Sequence, residues 1–368
     1  MAFLTALGVK KIIMIIIGAF LIYLAIKKEY EPALLLPIGF GAILVNIPQL
    51  PIMASGGGSE HGSALGILYE AGILTELFPL LIFIAVGAMI DFSPLLQNPV
   101  MLLFGAAAQF GIFFTIAVAG LFGYSIQEAG TIGVIGAADG PTSIYVATRL
   151  AKHLIGPISV AAYSYMSLVP IIQPPIIRAL TTKNERKIKM EYKPQGVSKT
   201  AKILFPIIVT IVAGIVAPTS VELVGFLMFG NLIRECGVLN KLSNAAQNEL
   251  ANLVTILLGI VIGSTMTAEG FLNIDTLIII AMGLVAFVFD TAGGVIFAKI
   301  LNLFLKKKIN PMVGAAGISA FPMSARVIHK MGQKEDPSNF LLMHAISANV
   351  AGQIGSVIAG GLILLLLS

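Results

Sequence analysis

The sequence predicts an all-α polytopic membrane protein of about 11 transmembrane segments, built as two structural repeats with broken helices in the manner of transporters. Three observations carry that prediction. Hydrophobic residues make up 57% of the 368 and charged residues only 11%, against roughly 25% charged in soluble domains. Apolar runs of roughly 15 to 30 residues recur as far as the C-terminus, whereas a lone signal peptide would leave a soluble remainder. Two breaks rich in glycine and proline, G-A-A-D-G-P-T-S-I-Y (Gly136 to Tyr145) and N-P-M-V-G-A-A-G-I-S-A-F-P (Asn310 to Pro322), stand at corresponding places in the two halves. The net charge of +5 is concentrated in loops, which argues for membrane topology and against nucleic acid as a partner. The single cysteine, Cys236, excludes an internal disulfide framework and any multi-cysteine metal centre.

Ile12 to Ile26 and Ala33 to Ile47 read as the first two spans, parted by Lys27, Lys28 and Glu29. Both are short for a hydrocarbon core of about 30 Å. Pro48 to Glu76 reads as a loop, flexible around S-G-G-G-S-E-H-G, with a moderately amphipathic piece after it. Leu77 to Ile90 spans and stops at Asp91-Phe92-Ser93-Pro94, and a long apolar helix follows from Pro99 to Tyr124. After the first break, Ile155 to Leu180 is a span that Pro170, Pro174 and Pro175 are expected to interrupt repeatedly. Between Lys183 and Lys202 seven basic residues (Lys183, Arg186, Lys187, Lys189, Lys193, Lys199, Lys202) face only Glu185 and Glu191, which marks the cytoplasmic side. The second half runs Ile203 to Val216, Leu223 to Ile233, Leu250 to Thr267, Ile274 to Leu305, the second broken element from Asn310 to Ile328, and Phe340 to Leu367.

The expected organisation is a first membrane half over 1–182 that carries the aspartate, a basic cytoplasmic loop over 183–202, and a second membrane half over 203–368 that carries an Asn/Ser/Arg cluster. Placing Ala85 to Asn98 over Val261 to Ile274 aligns Gly87 with Gly263, and further on G-A-A-D at Gly136 meets G-A-A-G at Gly314. Both copies then run into an arginine, Arg149 and Arg326. Weak repeats with breaks at matching positions point to a site at the repeat interface near the bilayer midplane. Counting the segments between equivalent elements gives an even number and hence parallel repeats. The orientation inverts if one short segment, such as Leu223 to Ile233 with Arg234 and Glu235 at its end, is re-entrant or interfacial.

Asp139 is the residue that needs a reason. An ionised aspartate at bilayer depth costs roughly 2.5–3.5 kcal/mol on insertion scales, so it persists where it has a partner or a task. Gly140 and Pro141 break the helix beside it and free backbone groups to face a cavity. The second break has oxygen ligands and no carboxylate: the side chains of Asn310, Ser319 and Asn349, with carbonyls freed at Gly314 and Gly317. One carboxylate with neutral oxygens suits Na⁺ or H⁺ better than a divalent ion, which gathers more carboxylates. Plainer roles stand beside these: a cap for Asp139, interhelical hydrogen bonds for Ser319 and Asn349, packing for Tyr165, and snorkelling for Arg326. Asp290 and Asp91 are either further ion ligands or helix caps.

At G-A-A-D-G-P-T-S-I-Y, at Y-S-Y-M-S-L-V-P (Tyr163 to Pro170) and over Asn310 to Gly352, the chain resembles the β subunit of the sodium-ion-translocating biotin-dependent decarboxylases. That group acts on oxaloacetate, methylmalonyl-CoA or glutaconyl-CoA. The resemblance covers nearly the whole chain. It implies a subunit that takes carboxybiotin from a mobile biotin domain, decarboxylates it with consumption of a proton, and couples this to Na⁺ export across the bacterial cytoplasmic membrane. The family's Na⁺-linked aspartate falls on Asp139, its tyrosine on Tyr165, and its second polar cluster on Asn310, Gly314, Ser319, Arg326 and Asn349. In those terms Tyr165 is a proton conduit, Arg326 a carboxylate clamp, and Asp139 a group that exchanges H⁺ for Na⁺. No M-K-M biotinylation site is present, and K-I-K-M (Lys187 to Met190) departs from it, so covalent biotin is expected on a partner, as is the carboxyltransferase. The resemblance further implies a small single-span membrane subunit and a homo-oligomer within the complex, and the chain's modest length leans toward the acyl-CoA decarboxylases. The alternative from the residues alone is a secondary cation/proton antiporter or Na⁺-coupled carboxylate transporter, which would use the same breaks without chemistry.

Overall fold

In hydrocarbon each backbone polar group must be satisfied within the protein, which leaves helices as the solution for so apolar a chain. The computed structural model describes residues 8–29, 31–48, 63–192 and 196–368, and no strand occurs among them. The loop motif S-G-G-G-S-E-H-G lies outside the described residues. In chain order α1 (Val9–Lys28) and α2 (Pro32–Asn46) pack together. A helix pair follows, α3 (Ala64–Tyr69), continued to Leu74, and α4 (Leu77–Met89), bent by 62° at the junction. Residues 63–76, expected as loop, are therefore largely helical.

The apolar run Pro99–Leu121 is divided at Ala108 and Gln109 into α5 (Leu102–Ala107) and α6 (Phe110–Leu121). The first broken element comprises α7 (Ile126–Val134), opened by a Ser125–Glu128 capping box, and α8 (Gly140–Leu150), capped by Asp139. Next come α9 (Ile155–Leu180), α10 (Lys199–Val216), α11 (Val221–Glu235), α12 (Ala251–Ser264) and α13 (Ile274–Phe304). The second broken element comprises α14 (Met312–Ala315) and α15 (Met323–Glu335), and α16 (Leu342–Leu367) closes the chain.

Among the described residues seven helices are long and apolar enough to cross a membrane, or eight with the bent pair. The expected count of about 11 is not reached by full-length helices. The remainder are the 15-residue α2 and α11 and the two broken elements, whose arms are too short to cross. The 9 residues of α7 and 11 of α8 reach about 14 and 17 Å, roughly half the core. α9 was expected to be interrupted, yet it runs unbroken for 26 residues through Pro170, Pro174 and Pro175. Each proline removes one donor, whereas a break would leave a whole turn of backbone unpaired in hydrocarbon.

Both broken elements are re-entrant hairpins. At the first, Glu128 in the first turn of α7 lies 2.9 Å from His153, just beyond α8, so the two arms start and finish together. At the second, Asn310 Nδ2 donates to the carbonyls of Arg186 and Ile188, and Glu335 at the far end pairs with Arg186 at 2.7 Å. The second hairpin thus opens at the basic end of the molecule, and the first at the opposite end, since α9 leads from His153 to that basic end. The hairpins enter from opposite faces and the repeats are inverted. Leu223 to Ile233 is not the re-entrant piece; it lies within the continuous α11.

Twin contacts express the inversion. Asn46 of α2 donates to Met266 O and accepts from Ala268 N, bridging the break after α12. Asn231 of α11 donates to Ile90 O, in the break after α4. The aligned glycines sit at the matching crossings: a Cβ on Gly87 would fall 1.8 Å from Leu227 O, and one on Gly263 would fall 2.1 Å from Ile38 O. Helices of each half therefore cross those of the other at backbone distance.

The Arg186 clamp sets the mouth of the second hairpin. Its guanidinium hydrogen-bonds Glu335 and holds that carboxyl below its ordinary value of 4.5. A depressed carboxylate contributes stability above its unfolded value and loses it as pH falls through the folded one. Glu335→Gln is therefore expected to cost about 2 kcal/mol at pH 7, between the exposed and buried limits for ion pairs. The difference from wild type should shrink as pH falls past 4.5 and vanish once it has passed the depressed folded value, as read from melting in detergent as a function of pH.

Candidate functional site

The tips of the two hairpins meet. Ser319 N, in the second break, donates to Ala137 O in the first at 3.0 Å, and Ser319 Oγ donates to Asp139 Oδ2 at 3.0 Å. The local geometry follows from the sequence. A short 3₁₀ turn over Ile135–Ala137 ends α7, Ala138 takes a left-handed conformation (φ 52°), and Asp139 becomes the N-cap of α8 with Pro141 in the first turn. Asp139 Oδ1 accepts from Thr142 N, which leaves Oδ2 aimed away from its own helix.

Three donors converge on that Oδ2: Ser319 Oγ at 3.0 Å, Ser356 Oγ at 2.7 Å and Gln353 Nε2 at 3.2 Å. Asp139 is 3% exposed, and no ion pair among the described residues involves it. A buried carboxylate ringed by neutral groups is short of positive charge. The ring can supply oxygen to a cation instead of hydrogen to the carboxylate: hydroxyls rotate, and an amide turns end for end. The half-helices add their own polarity, with the C-terminal ends of α7 and α14 presenting carbonyls at the tips and the N-terminal end of α8 presenting amides.

The candidate residues fall into two groups. Asp139 and Ser319 are bonded to each other, and Asn349 belongs with them: its Nδ2 donates to Ile318 O at 2.6 Å while its Oδ1 is buried with no partner. Asn349, Gln353 and Ser356 stand at i, i+4 and i+7 on α16, so one helix face serves the site. Asn310 lies elsewhere, at the hairpin mouth, with its amide donating to Arg186 and Ile188 and its Oδ1 accepting from Met312 N. Gly314 packs against Gly294 of α13. Arg326 is exposed on α15, where its charge acts on Glu31. Tyr165 donates to Ile280 O of α13. It is Tyr163, two residues earlier, whose ring lies over Gly140 beside Asp139, with its hydroxyl buried and unpartnered. Asp91 caps the turn at Ser93. Asp290 accepts from Ile112 N through Oδ1, while its Oδ2 faces Gly136 without a partner.

A cavity of about 170 Å³ reaches the site. Asp139, Tyr163, Ser319 and Gln353 line its floor, and Leu34 and Met89 belong to its walls. Leu34 is in the first turn of α2 and Met89 ends α4, and α4 ends beside Arg234 at the basic end. The cavity therefore extends from the hairpin tips toward the end that carries Lys183 to Lys202.

Inverted repeats, opposed re-entrant hairpins and a lone carboxylate at their meeting point define a membrane transport protein of the broken-helix class. Residues 10–367 match the family described as the Na⁺-transporting oxaloacetate decarboxylase beta subunit, and the chain belongs to that family. It is 52% identical to methylmalonyl-CoA decarboxylase subunit beta of Propionigenium modestum over 97% of this chain and 95% of that protein. It is 51% identical to glutaconyl-CoA decarboxylase subunit beta of Acidaminococcus fermentans, covering 96% and 92%. To the oxaloacetate decarboxylase beta chain of Klebsiella pneumoniae it is 45% identical, covering 97% and 95%.

Proposed function

We propose that the protein is the membrane subunit of a primary Na⁺ pump, which decarboxylates carboxybiotin presented by a partner and uses that step to export Na⁺ while consuming a proton. The observation that carries this reading is the Asp139 carboxylate, buried without a cation and ringed by Ser319, Gln353 and Ser356. Na⁺ bound at Oδ2 would take these side-chain oxygens and the orphaned Asn349 Oδ1. A proton on Asp139 would satisfy the same carboxylate, so occupation by one ion excludes the other. That exclusion is the coupling element.

The cavity supplies the route for the substrate. A carboxylated ureido group entering from the basic, cytoplasmic end passes Arg326, which steers the anionic carboxylate. The departing nitrogen needs a proton when CO₂ leaves. Tyr163, the buried unpartnered hydroxyl beside Asp139, is better placed to relay it than Tyr165, whose hydroxyl is committed to Ile280 O. Biotin carrier and carboxyltransferase reside on partner chains in the bacterial inner membrane complex, together with a small single-span subunit and further copies of this chain. The two membrane halves, 1–182 and 203–368, frame the site from either side of the basic loop. The higher identity to the two CoA-dependent relatives favours an acyl-CoA as the partner's substrate.

Purified protein given free carboxybiotin is expected to release CO₂ only when Na⁺ is present. Intact Na⁺ binding with no CO₂ release would instead favour a secondary transporter. Tyr163→Phe keeps the ring over Gly140 and breaks no protein hydrogen bond, so the fold should hold while Na⁺-dependent turnover drops about tenfold or more. Tyr165→Phe loses a hydrogen bond worth about 1 kcal/mol and should chiefly lower stability. Turnover and melting temperature measured on both variants check the order; equal turnover losses would return the proton role to Tyr165.

A further inference from the structure

A second cavity, of about 280 Å³, opens at the basic end between the end of α13, the start of the Pro99–Leu121 run and the start of α16. Its walls have two characters. Lys307 and Lys308, which follow α13, His344 of α16 and the carboxylate of Glu191, paired with Lys307, form its polar part. Val100, Met101 and Leu305 form its apolar part. One His344 nitrogen is engaged by the backbone at Met190 and Glu191, which leaves Nε2 buried and unpartnered. Lys307 pairs with Glu191, both side chains mostly exposed, 76% and 69%, a contact that solvent weakens. Lys308 Nζ donates to Asn302 O, so each ammonium keeps further N–H donors.

The geometry points to a binding site for an anionic phospholipid, its phosphodiester held by Lys307 and Lys308 and a headgroup hydroxyl by His344. Two lysines match a phosphodiester by charge and by hydrogen bonding. The bare His344 Nε2, an acceptor because the other ring nitrogen donates to the backbone, suits a headgroup hydroxyl such as those of a glycerol. Basic pockets between membrane helices at the cytoplasmic interface have the position and charge that lipid headgroups require. The apolar wall decides between a lipid and a free phosphate. It continues outward into exposed Val100 (47%), Leu303 (78%) and Phe304 (80%), a path that suits acyl chains and gives a small anion nothing. The site also touches function at one remove, because His344 opens the helix that carries Asn349, Gln353 and Ser356.

The test uses the full-length protein, delipidated in detergent and exposed to vesicles of phosphatidylglycerol or phosphatidylcholine, with bound lipid counted by native mass spectrometry. Phosphatidylglycerol is expected to be retained at least fivefold more than phosphatidylcholine, and Lys307→Gln with Lys308→Gln to remove that preference. Should the double variant not fold, Lys307→Gln alone is expected to reduce retention at least twofold. Equal retention of the two lipids, or unchanged retention by a folded variant, overturns the proposal. Inorganic phosphate or glycerol phosphate that competes the lipid off at millimolar concentration would also overturn it, by showing that the headgroup alone is the ligand.

Discussion

Asp139→Asn is expected to abolish Na⁺-dependent decarboxylation while leaving the protein folded. The substitution is nearly isosteric, and an asparagine oxygen can still accept from Thr142 N as the cap of α8. What it removes is the charge. Oδ2 becomes an amide nitrogen that can neither hold Na⁺ electrostatically nor take a proton in exchange, while two of the three groups Ser319, Ser356 and Gln353 reorient to accept its two hydrogens. A loss of about 10²-fold or more in turnover follows from the scale of proton-transfer catalysis. The protection that Na⁺ gives wild-type protein against thermal unfolding should disappear as well. A variant that melts normally, still responds to Na⁺ and turns over at the wild-type rate would remove Asp139 from the mechanism.

How much of this site the sequence discloses depends on the kind of signal each residue leaves. Asp139 is conspicuous because a carboxylate in an apolar, broken stretch has few bland explanations. Ser319 is found through its place in the matching break. Gln353 and Ser356 stand in an otherwise small-residue helix, A-N-V-A-G-Q-I-G-S-V, and their spacing from Asn349 puts all three on one face. Nothing in that spacing says which face meets Asp139; only the tertiary crossing of α16 with the hairpin tips decides it. Tyr163 and Tyr165 differ by two positions in one helix, so they point to nearly opposite sides, and the phase of α9 relative to Asp139 is a packing outcome.

The fold shows the same division. Composition and apolar runs disclose an all-helical membrane chain, and Gly87 over Gly263 discloses the repeat. The hairpins were hidden because a re-entrant arm and half of a crossing helix look alike in hydropathy, and the difference resides in where the ends are tied. Those ties, Glu128 to His153 and Asn310 and Glu335 to Arg186, join residues whose partners no local pattern names. Once the first element turns back and no longer counts as a crossing, α4 and α12 run in opposite directions, and the inverted orientation follows from ordinary chain connectivity.

Gly314 provides the second large effect, because it separates two roles for one residue. As an ion ligand it would offer its carbonyl, but that oxygen accepts from Gly317 N at 3.0 Å. As a packing residue it lets the second hairpin touch α13: a Cβ on Gly314 would lie 2.0 Å from Gly294 O, and one on Gly294 would lie 2.1 Å from Gly314 O. Both obstacles are backbone, so no side chain can swing aside. Gly314→Ala is expected to cost about 3 kcal/mol, at the upper end of overpacking penalties, and to lower the melting temperature by about 6 °C or more. Gly294→Ala should do the same, and the double variant should cost less than the sum, since one separation of the two backbones relieves both clashes. Folded Gly314→Ala protein should bind Na⁺ within about threefold of wild type, because Asp139 and its donors lie beyond the contact. If instead melting is unchanged and Na⁺ affinity falls tenfold, Gly314 belongs among the ion's ligands, and the second hairpin holds Na⁺ by its backbone as well as by Ser319.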